Sequence, residues 1–349
     1  MPVTIVIDAM GGDNAPKEVI RGLNRFLKDH EDVHVILVGE ENQIKEEMKD
    51  DNFEHDVEIV HTDEWITMDD SPKKALAEKN KASIHVATRI LRDKKADVIV
   101  SGGNTGALVL ASAQNLPMIE GIERSALAAI FPAAKFVEGS HGFSLLLDVG
   151  ATLKCTAKQL VHFAYMGSYY LSHVMNIENP RVALLNNGSE ETKGGEVLTR
   201  TYQYLKNDPN INFYGNIEGN EINKGIVDVI ITEGFVGNVI IKMMEGTAEL
   251  LKDTGKYAFK KKISWKLGLA FLASGLKKLK TRTDYSEYGG VPILGFFDPV
   301  IKAHGRSNAK AFYNAFRVAT VAVNSEVTKH IAESVHAFNA GHQIDDVYI

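Results

Sequence analysis

The feature that most constrains this chain is a recurring pattern: short aliphatic, β-branched runs, several of which end in a polar, glycine-rich turn. Such runs occupy residues 4–8, 33–38, 57–60, 98–101, 127–131, 143–148, 182–185, 211–214 and 227–232, with helical patterns between them at 16–29, 73–93, 156–174 and 194–206. Several runs are continuously apolar rather than alternating, as strands covered on both faces must be. The pattern predicts a layered α/β fold around a mostly parallel sheet.

The 349 residues suit one large α/β domain or two smaller ones. No internal repeat or low-complexity linker divides them, so we read 1–349 as a single domain. A net charge of −6 gives no general case for nucleic acid. The lone cysteine, Cys155, rules out an internal disulfide and points to a reducing cytoplasm. The first residues enter a strand pattern without a basic n-region, and no uncharged apolar stretch reaches about 18 residues. Neither a secretory signal nor a transmembrane helix is expected.

Five turns carry the polar chemistry: Asp8-Ala-Met-Gly-Gly-Asp13 before Pro16; Ser101-Gly-Gly-Asn-Thr-Gly106; Leu147-Asp-Val-Gly-Ala-Thr152; the stretch 186–195; and Thr232-Glu-Gly-Phe-Val-Gly-Asn238. Ligands of parallel sheets gather beyond the carboxyl ends of the strands, and all five turns are expected there, at equivalent strand ends. In the second turn, strand, glycines and helix follow one another. Gly102, Gly103 and Gly106 permit close backbone approach, the first helical N–H groups point outward, and Asn104 and Thr105 add neutral donors. Together the turns offer backbone N–H groups, amides, hydroxyls and one lysine, Lys193. That inventory suits phosphate and a developing oxyanion, and it suits transition metals poorly.

Asp8, Asp13 and Asp148 fit either loop bracing or Mg²⁺, and we take bracing, with no metal. No turn gives the glycine spacing and following acid of a dinucleotide site. Cys155, among apolar neighbours with no histidine nearby in sequence, reads as a structural thiol, and no Gly-x-Ser-x-Gly elbow is present. His304 sits in Lys302-Ala-His-Gly-Arg-Ser-Asn308, read as a basic loop opening a helix over 309–323; it is either structural or close to a ligand. His141 reads as a surface turn.

Over 256–283 the character changes. Lys256, Lys260, Lys261, Lys262, Lys266, Lys277, Lys278, Lys280 and Arg282 are uninterrupted by any acid, and Trp265, Leu269, Leu272, Leu276 and Leu279 repeat on one helical face. The segment reads as a protruding amphipathic element. One reading buries it in a subunit interface; the one we favour lays it on an anionic membrane surface.

The motifs Ile7-Asp-Ala-Met-Gly-Gly-Asp13, Ser101-Gly-Gly-Asn-Thr-Gly-Ala107, Leu147-Asp-Val-Gly150, Gly234-Phe-Val-Gly-Asn-Val239, Tyr288-Gly-Gly-Val-Pro-Ile-Leu-Gly295 and Ala303-His-Gly305 together resemble the bacterial phosphate acyltransferase (PlsX) family nearly end to end. The resemblance implies a three-layer α/β/α fold akin to phosphotransacetylase and the isopropylmalate dehydrogenases. It implies transfer of a long-chain acyl group from acyl carrier protein to inorganic phosphate, and acyl phosphate that feeds a downstream glycerol-3-phosphate acyltransferase in phospholipid synthesis. It also implies a homodimer held peripherally at the inner face of the plasma membrane, with no cofactor. The chain departs from the usual family residues at Gly102, Thr152 and Arg306 and over the 186–191 turn.

Phosphate is already a nucleophile at neutral pH and a thiolate leaves readily, so direct attack needs no covalent enzyme intermediate. It needs positioning and oxyanion stabilisation. The expected phosphate and substrate site comprises Asp8, Gly11, Gly12, Asp13, Gly103, Asn104, Thr105, Gly106, Asp148 and Gly237. Lys193 completes the cradle, Asn238 donates to the oxyanion, and His304 is a proton shuttle or phosphate ligand. The acyl chain is expected along the 265–279 element, with Trp265, Leu269, Leu272, Leu276, Lys260, Lys261 and Lys262 contacting membrane. Two alternatives stay open: a phosphotransacetylase-like enzyme using short acyl-CoA, and a non-catalytic membrane-bound scaffold of the lipid pathway.

Overall fold

The computed structural model describes residues 2–134, 138–261, 268, 271 and 289–341. Its strands are β1 (Thr4–Asp8), β2 (His34–Gly39), β3 (Glu58–His61), β4 (Val98–Ser101), β5 (Ala126–Pro132), β6 (Phe143–Leu147), β7 (Val182–Asn186), β8 (Phe213–Glu218), β9 (Val229–Ile231), β10 (Val291–Leu294) and β11 (Val300–Lys302). Its helices are α1 (Lys17–Asp29), α2 (Glu41–Asp50), α3 (Pro72–Glu78), α4 (Ser83–Arg92), α5 (Thr105–Asn115), α6 (Ala157–His173), α7 (Gly195–Lys206), α8 (Gly234–Lys261), α9 (Ala309–Asn324) and α10 (Val327–Gly341).

The strands form one sheet in the order β3-β2-β1-β4-β11-β10-β5-β6-β9-β7-β8. The α/β class and mostly parallel sheet agree with the sequence pattern. Alternate residues of each strand bury against opposite helical layers. Ile5 and Ile7 of β1 pack with Leu23 and Phe26 of α1 and Phe312 and Phe316 of α9, whereas Val6 joins Ala87 of α4 and Leu108 of α5. On the far half, Leu145 and Leu147 pack with Phe163 and Tyr165 of α6 and Val335 of α10.

Strands β10 and β11, of 4 and 3 residues, are too short to announce themselves by periodicity. They matter because β11–β10, β10–β5 and β5–β6 are all antiparallel, while the strands on either side pair in parallel. Three reversals leave the two parallel halves running in opposite directions. Contrary to the expectation from sequence, the five turns therefore do not share one row of strand ends. Those after β1 and β4 open toward one end of the sheet, and those after β6, β7 and β9 toward the other.

The single helix expected over 73–93 is two. Lys79 ends α3 by reaching back to Asp70 Oδ2 and the Trp65 carbonyl, and Ser83 begins α4 with its hydroxyl turned into the core. At 28 residues, α8 runs about 42 Å, so the basic segment begins as the end of that helix. Lys262, Trp265, Leu269, Leu272 and Leu276 lie outside the described residues, as do the side chains of Lys260 and Lys261. Among the described residues, no helix is both long and apolar enough to cross a membrane.

Candidate functional site

Asp8, Ser101 and Lys302 stand in register at the ends of β1, β4 and β11. Asp8 is 2% exposed; its Oδ1 accepts from Ser83 Oγ at 2.6 Å and its Oδ2 from Ser101 Oγ at 2.7 Å. Burial raises its pKa against these two hydroxyls. Gly11 lies directly on the carboxylate: a Cβ there would stand 2.5 Å from Asp8 Oδ2 and 2.6 Å from the Gly103 nitrogen, so no larger residue fits. Asp13 is exposed. Its N–H donates to the Gly305 carbonyl at 2.8 Å, and its Oδ2 lies 3.9 Å from Arg306 Nε. The turns 8–13, 101–106 and 303–306 are thus knit together.

Within that group, the Asn104 side chain is committed to structure. Its Oδ1 caps α5 by accepting from the Ala107 N–H at 3.2 Å, and its Nδ2 faces the carbonyls of Met68 and Asp70 at 3.2 and 3.1 Å. The backbone N–H groups of Gly12, Thr105 and Gly106 have no partner among the described residues. Donors for an anion here are therefore main-chain groups at a helix start.

Lys302 is the residue that sequence reasoning missed. The sequence places it in a basic loop, whereas it ends β11 and is only 5% exposed. Its Nζ donates to the Gly102 carbonyl at 3.2 Å and to the Ala303 carbonyl. Burial lowers its pKa to about 8, while Asp8 and Asp13 pull in the opposite direction. The available signal was a lysine closing the otherwise apolar Val300-Ile301 pair. Two positions on, His304 is partly exposed with Nε2 3.9 Å from Glu245 Oε1. Partial burial and the Lys302 charge lower its pKa, so the ring is neutral at pH 7.

The second group centres on Asp148, which is fully buried. Its Oδ1 accepts from the N–H groups of Leu127, Gly150 and Ala151, and its Oδ2 accepts from Thr152 N–H and Thr152 Oγ1, all at 2.7–3.0 Å. Five donors saturate this carboxylate, so it shapes the turn. Thr152 Oγ1 also accepts from Gly234 N–H at 3.0 Å, tying the turn after β6 to the start of α8. Gly237 fits tightly against that turn, where a Cβ would come 1.9 Å from the Asp148 carbonyl oxygen. Asn238, one residue on, is exposed, and its side chain approaches Gly150. Asn186 Nδ2 holds the Lys193 carbonyl at 3.1 Å, leaving the exposed Lys193 side chain at the mouth of the turn after β7.

A cavity of about 650 Å³ opens beside this group. Leu160, Leu185, Val197, Leu198, Val236 and Ile240 make its apolar wall, with Arg124, Lys154 and Glu233 as charged groups that sequence reasoning did not single out. Cys155 lines it too. Burial pushes that thiol up to about 12, so it is protonated at neutral pH and a poor nucleophile. From here α8 leads toward the first group, because Glu245 meets His304.

The fatty acid synthesis protein family model matches residues 3–330. The chain is 42% identical to the phosphate acyltransferase of Dictyoglomus turgidum, over 95% of this chain and 97% of that protein. It is 40% identical to the phosphate acyltransferase of Pediococcus pentosaceus, over 98% and 97%. In fold it is similar to a phosphotransacetylase from Streptococcus pyogenes, with a TM-score of 0.61 at 16% identity over 93% of this chain and 94% of that one. A branched-chain phosphotransacylase from Enterococcus faecalis gives 0.53 at 16% identity over 92% and 99%.

Proposed function

The chain belongs to the phosphate acyltransferase family of fatty acid synthesis proteins, and from that premise we propose that it moves a long-chain acyl group from acyl carrier protein to inorganic phosphate. The product is an acyl phosphate for phosphatidic acid and phospholipid synthesis, consumed by a glycerol-3-phosphate acyltransferase. The observation that carries this reading is the pairing, in one fold, of a main-chain anion cradle with a largely apolar cavity, bridged by α8.

In this reading the N–H groups of Gly12, Thr105 and Gly106 hold phosphate, and the exposed Lys193 side chain approaches it from the turn after β7. One phosphate oxygen attacks the thioester carbonyl, the C–S bond breaks on collapse of the tetrahedral intermediate, and the carrier leaves as thiolate. Asn238 donates to the oxyanion, where a preorganised donor is most effective. Neutral His304 accepts a proton from phosphate or hydrogen-bonds to it. The acyl chain lies in the cavity walled by Leu160, Leu185 and Ile240, whose volume falls in the usual range for small-molecule sites.

The same reading makes the protein a homodimer on the inner face of the plasma membrane. In support, α8 exposes Val239, Met243, Leu250, Leu251, Tyr257 and Phe259, a larger apolar surface than one helix of a monomer ordinarily leaves in water. In the sequence this surface is followed by the basic residues of 256–283, the charge that anionic lipid attracts. The deciding assay incubates the protein with inorganic phosphate and either long-chain acyl-carrier protein or acetyl-CoA. Acyl phosphate from the former supports the reading. Acetyl phosphate alone points to phosphotransacetylase chemistry, and no product at all points to a scaffold.

A further inference from the structure

We propose that Lys302 is the positioning residue of the phosphate site: its ammonium turns the glycine-rich loops so that their N–H groups face the anion, and it supplies the positive charge beneath them. The inference rests on the phosphate-transfer reading above and deepens it.

The geometry is specific. An ammonium has three donors, and in Lys302 two are spent on the carbonyls of Gly102 and Ala303. Both belong to turns of the anion cradle. A loop that presents N–H groups to a ligand must turn its carbonyls away, and a buried cation is the group that holds them there. The Gly102 oxygen also lies within 4 Å of where side chains at Gly12 and Gly305 would begin, so Nζ sits where the three turns meet.

The charge balance points the same way. Among the described residues, no carboxylate lies within 4 Å of Lys302 Nζ. Asp8 is separated from it by Ser101 and occupied by two hydroxyls, and exposed Asp13 faces Arg306. A buried cation with no carboxylate in contact is expensive even with Asp8 and Asp13 nearby, and an apolar side chain of similar volume would avoid that cost. An anion resting on the unpartnered N–H groups of Gly12, Thr105 and Gly106 would supply the close negative charge that Lys302 lacks.

The test compares the wild type with Lys302→Met and Lys302→Arg in two measurements. One is KM for phosphate and for the acyl donor separately; the other is the rise in Tm on adding inorganic phosphate, with no acyl donor. Lys302→Met is expected to raise KM for phosphate about tenfold or more, the loss of one charged interaction, with the donor KM within about twofold. It should also abolish the phosphate-dependent rise in Tm, and Lys302→Arg should retain part of it. A folded Lys302→Met protein whose phosphate KM and phosphate-dependent Tm rise match the wild type overturns the inference, as does an equal loss toward both substrates. Should Lys302→Met fail to fold, Lys302→Gln is read by the same criteria. Loss of the phosphate effect on Tm in a protein that makes no acyl phosphate sustains the lysine's role and removes only the reaction.

Discussion

Asn238 and Glu245 share one face of α8, two helical turns and about 10 Å apart along its axis, and Glu245 is the residue against which His304 rests at 3.9 Å. Lys242 lies between them on the same face and donates to Glu245 Oε2 at 2.8 Å. The helix therefore carries a polar stripe from the turn after β9 to the turn after β11. Two turn groups that open toward opposite ends of the sheet are joined by this stripe, which places the oxyanion donor and the histidine of the proposed reaction along a single rigid element.

If Asn238 is that donor, Asn238→Ala should lower kcat about 10² to 10³-fold while KM for phosphate changes little. Asn238 is exposed and caps nothing, so the thermal midpoint should stay within about 1 °C of the wild type, a shift equivalent to about 0.7 kcal/mol for a chain of this length. Steady-state kinetics beside a melting curve check this, and near wild-type turnover would remove Asn238 from the mechanism.

A neutral His304 is required for it to accept a proton, so activity should fall on the acid side as the ring becomes charged. Burial and Lys302 lower its pKa, and the Glu245 carboxylate raises it. Glu245→Gln should accordingly shift the acid limb of kcat/KM to lower pH, and His304→Asn should remove the His304 contribution to that limb. The pH–rate profiles of the three proteins, with phosphate's own titration subtracted, decide the matter. An acid limb in the same place in all three assigns it elsewhere.

The Thr152 hydroxyl both donates to Asp148 and accepts from Gly234 N–H. Thr152→Val keeps the shape but strands one donor and part of a buried carboxylate, a loss of about 1–3 kcal/mol. Thr152→Asn should recover much of it, because an amide offers both a donor and an acceptor. Urea denaturation gives both values, and a neutral Thr152→Val would show that the Asp148 turn holds without this link.

The α/β class and the polar turns were legible because period and glycine spacing are local properties. The opposed directions of the two halves were not, since β10 and β11 are short and their antiparallel pairing is a tertiary fact. The same gap hid Lys302: in sequence it looks like one more base before His304, and only the β4–β11 register places it beside Ser101. Asn104 shows the converse error, for an amide next to glycines suggests a ligand donor but here caps α5 and fastens the 67–70 loop.

Reversing the charge of Lys260, Lys261 and Lys262 together tests the proposed membrane contact. Each lysine near anionic lipid contributes about 1 kcal/mol, so the triple Glu variant should lose vesicle binding by well over tenfold on phosphatidylglycerol-containing liposomes and much less on neutral ones. Sedimentation with the two vesicle types reads it directly. Unchanged binding to the anionic vesicles would leave the apolar residues as the whole of the attachment and remove the lysines from it.

Burial of Lys302 should also be visible in stability, independently of any ligand. Its folded pKa of about 8 lies below the roughly 10.4 of an unfolded lysine. Between those values the unfolded chain binds more protons, so the wild type gains stability as pH rises through this window. Below it, the charged side chain costs on the order of 3 kcal/mol relative to its neutral form. Asp8, Asp13, His304, Arg306 and Glu245 surround the site and are common to both proteins, and Asp8 and His304 also feel the Lys302 charge, so the difference reads the lysine together with its coupling to them. In the absence of phosphate, Lys302→Met should match or exceed the wild type in unfolding free energy at pH 7, and that margin should shrink by about 2–3 kcal/mol toward pH 10. Denaturation curves at the two pH values supply the comparison. Curves that stay parallel would mean that the ammonium is not held at a cost, and the case for an anion as its missing partner would lose its energetic ground.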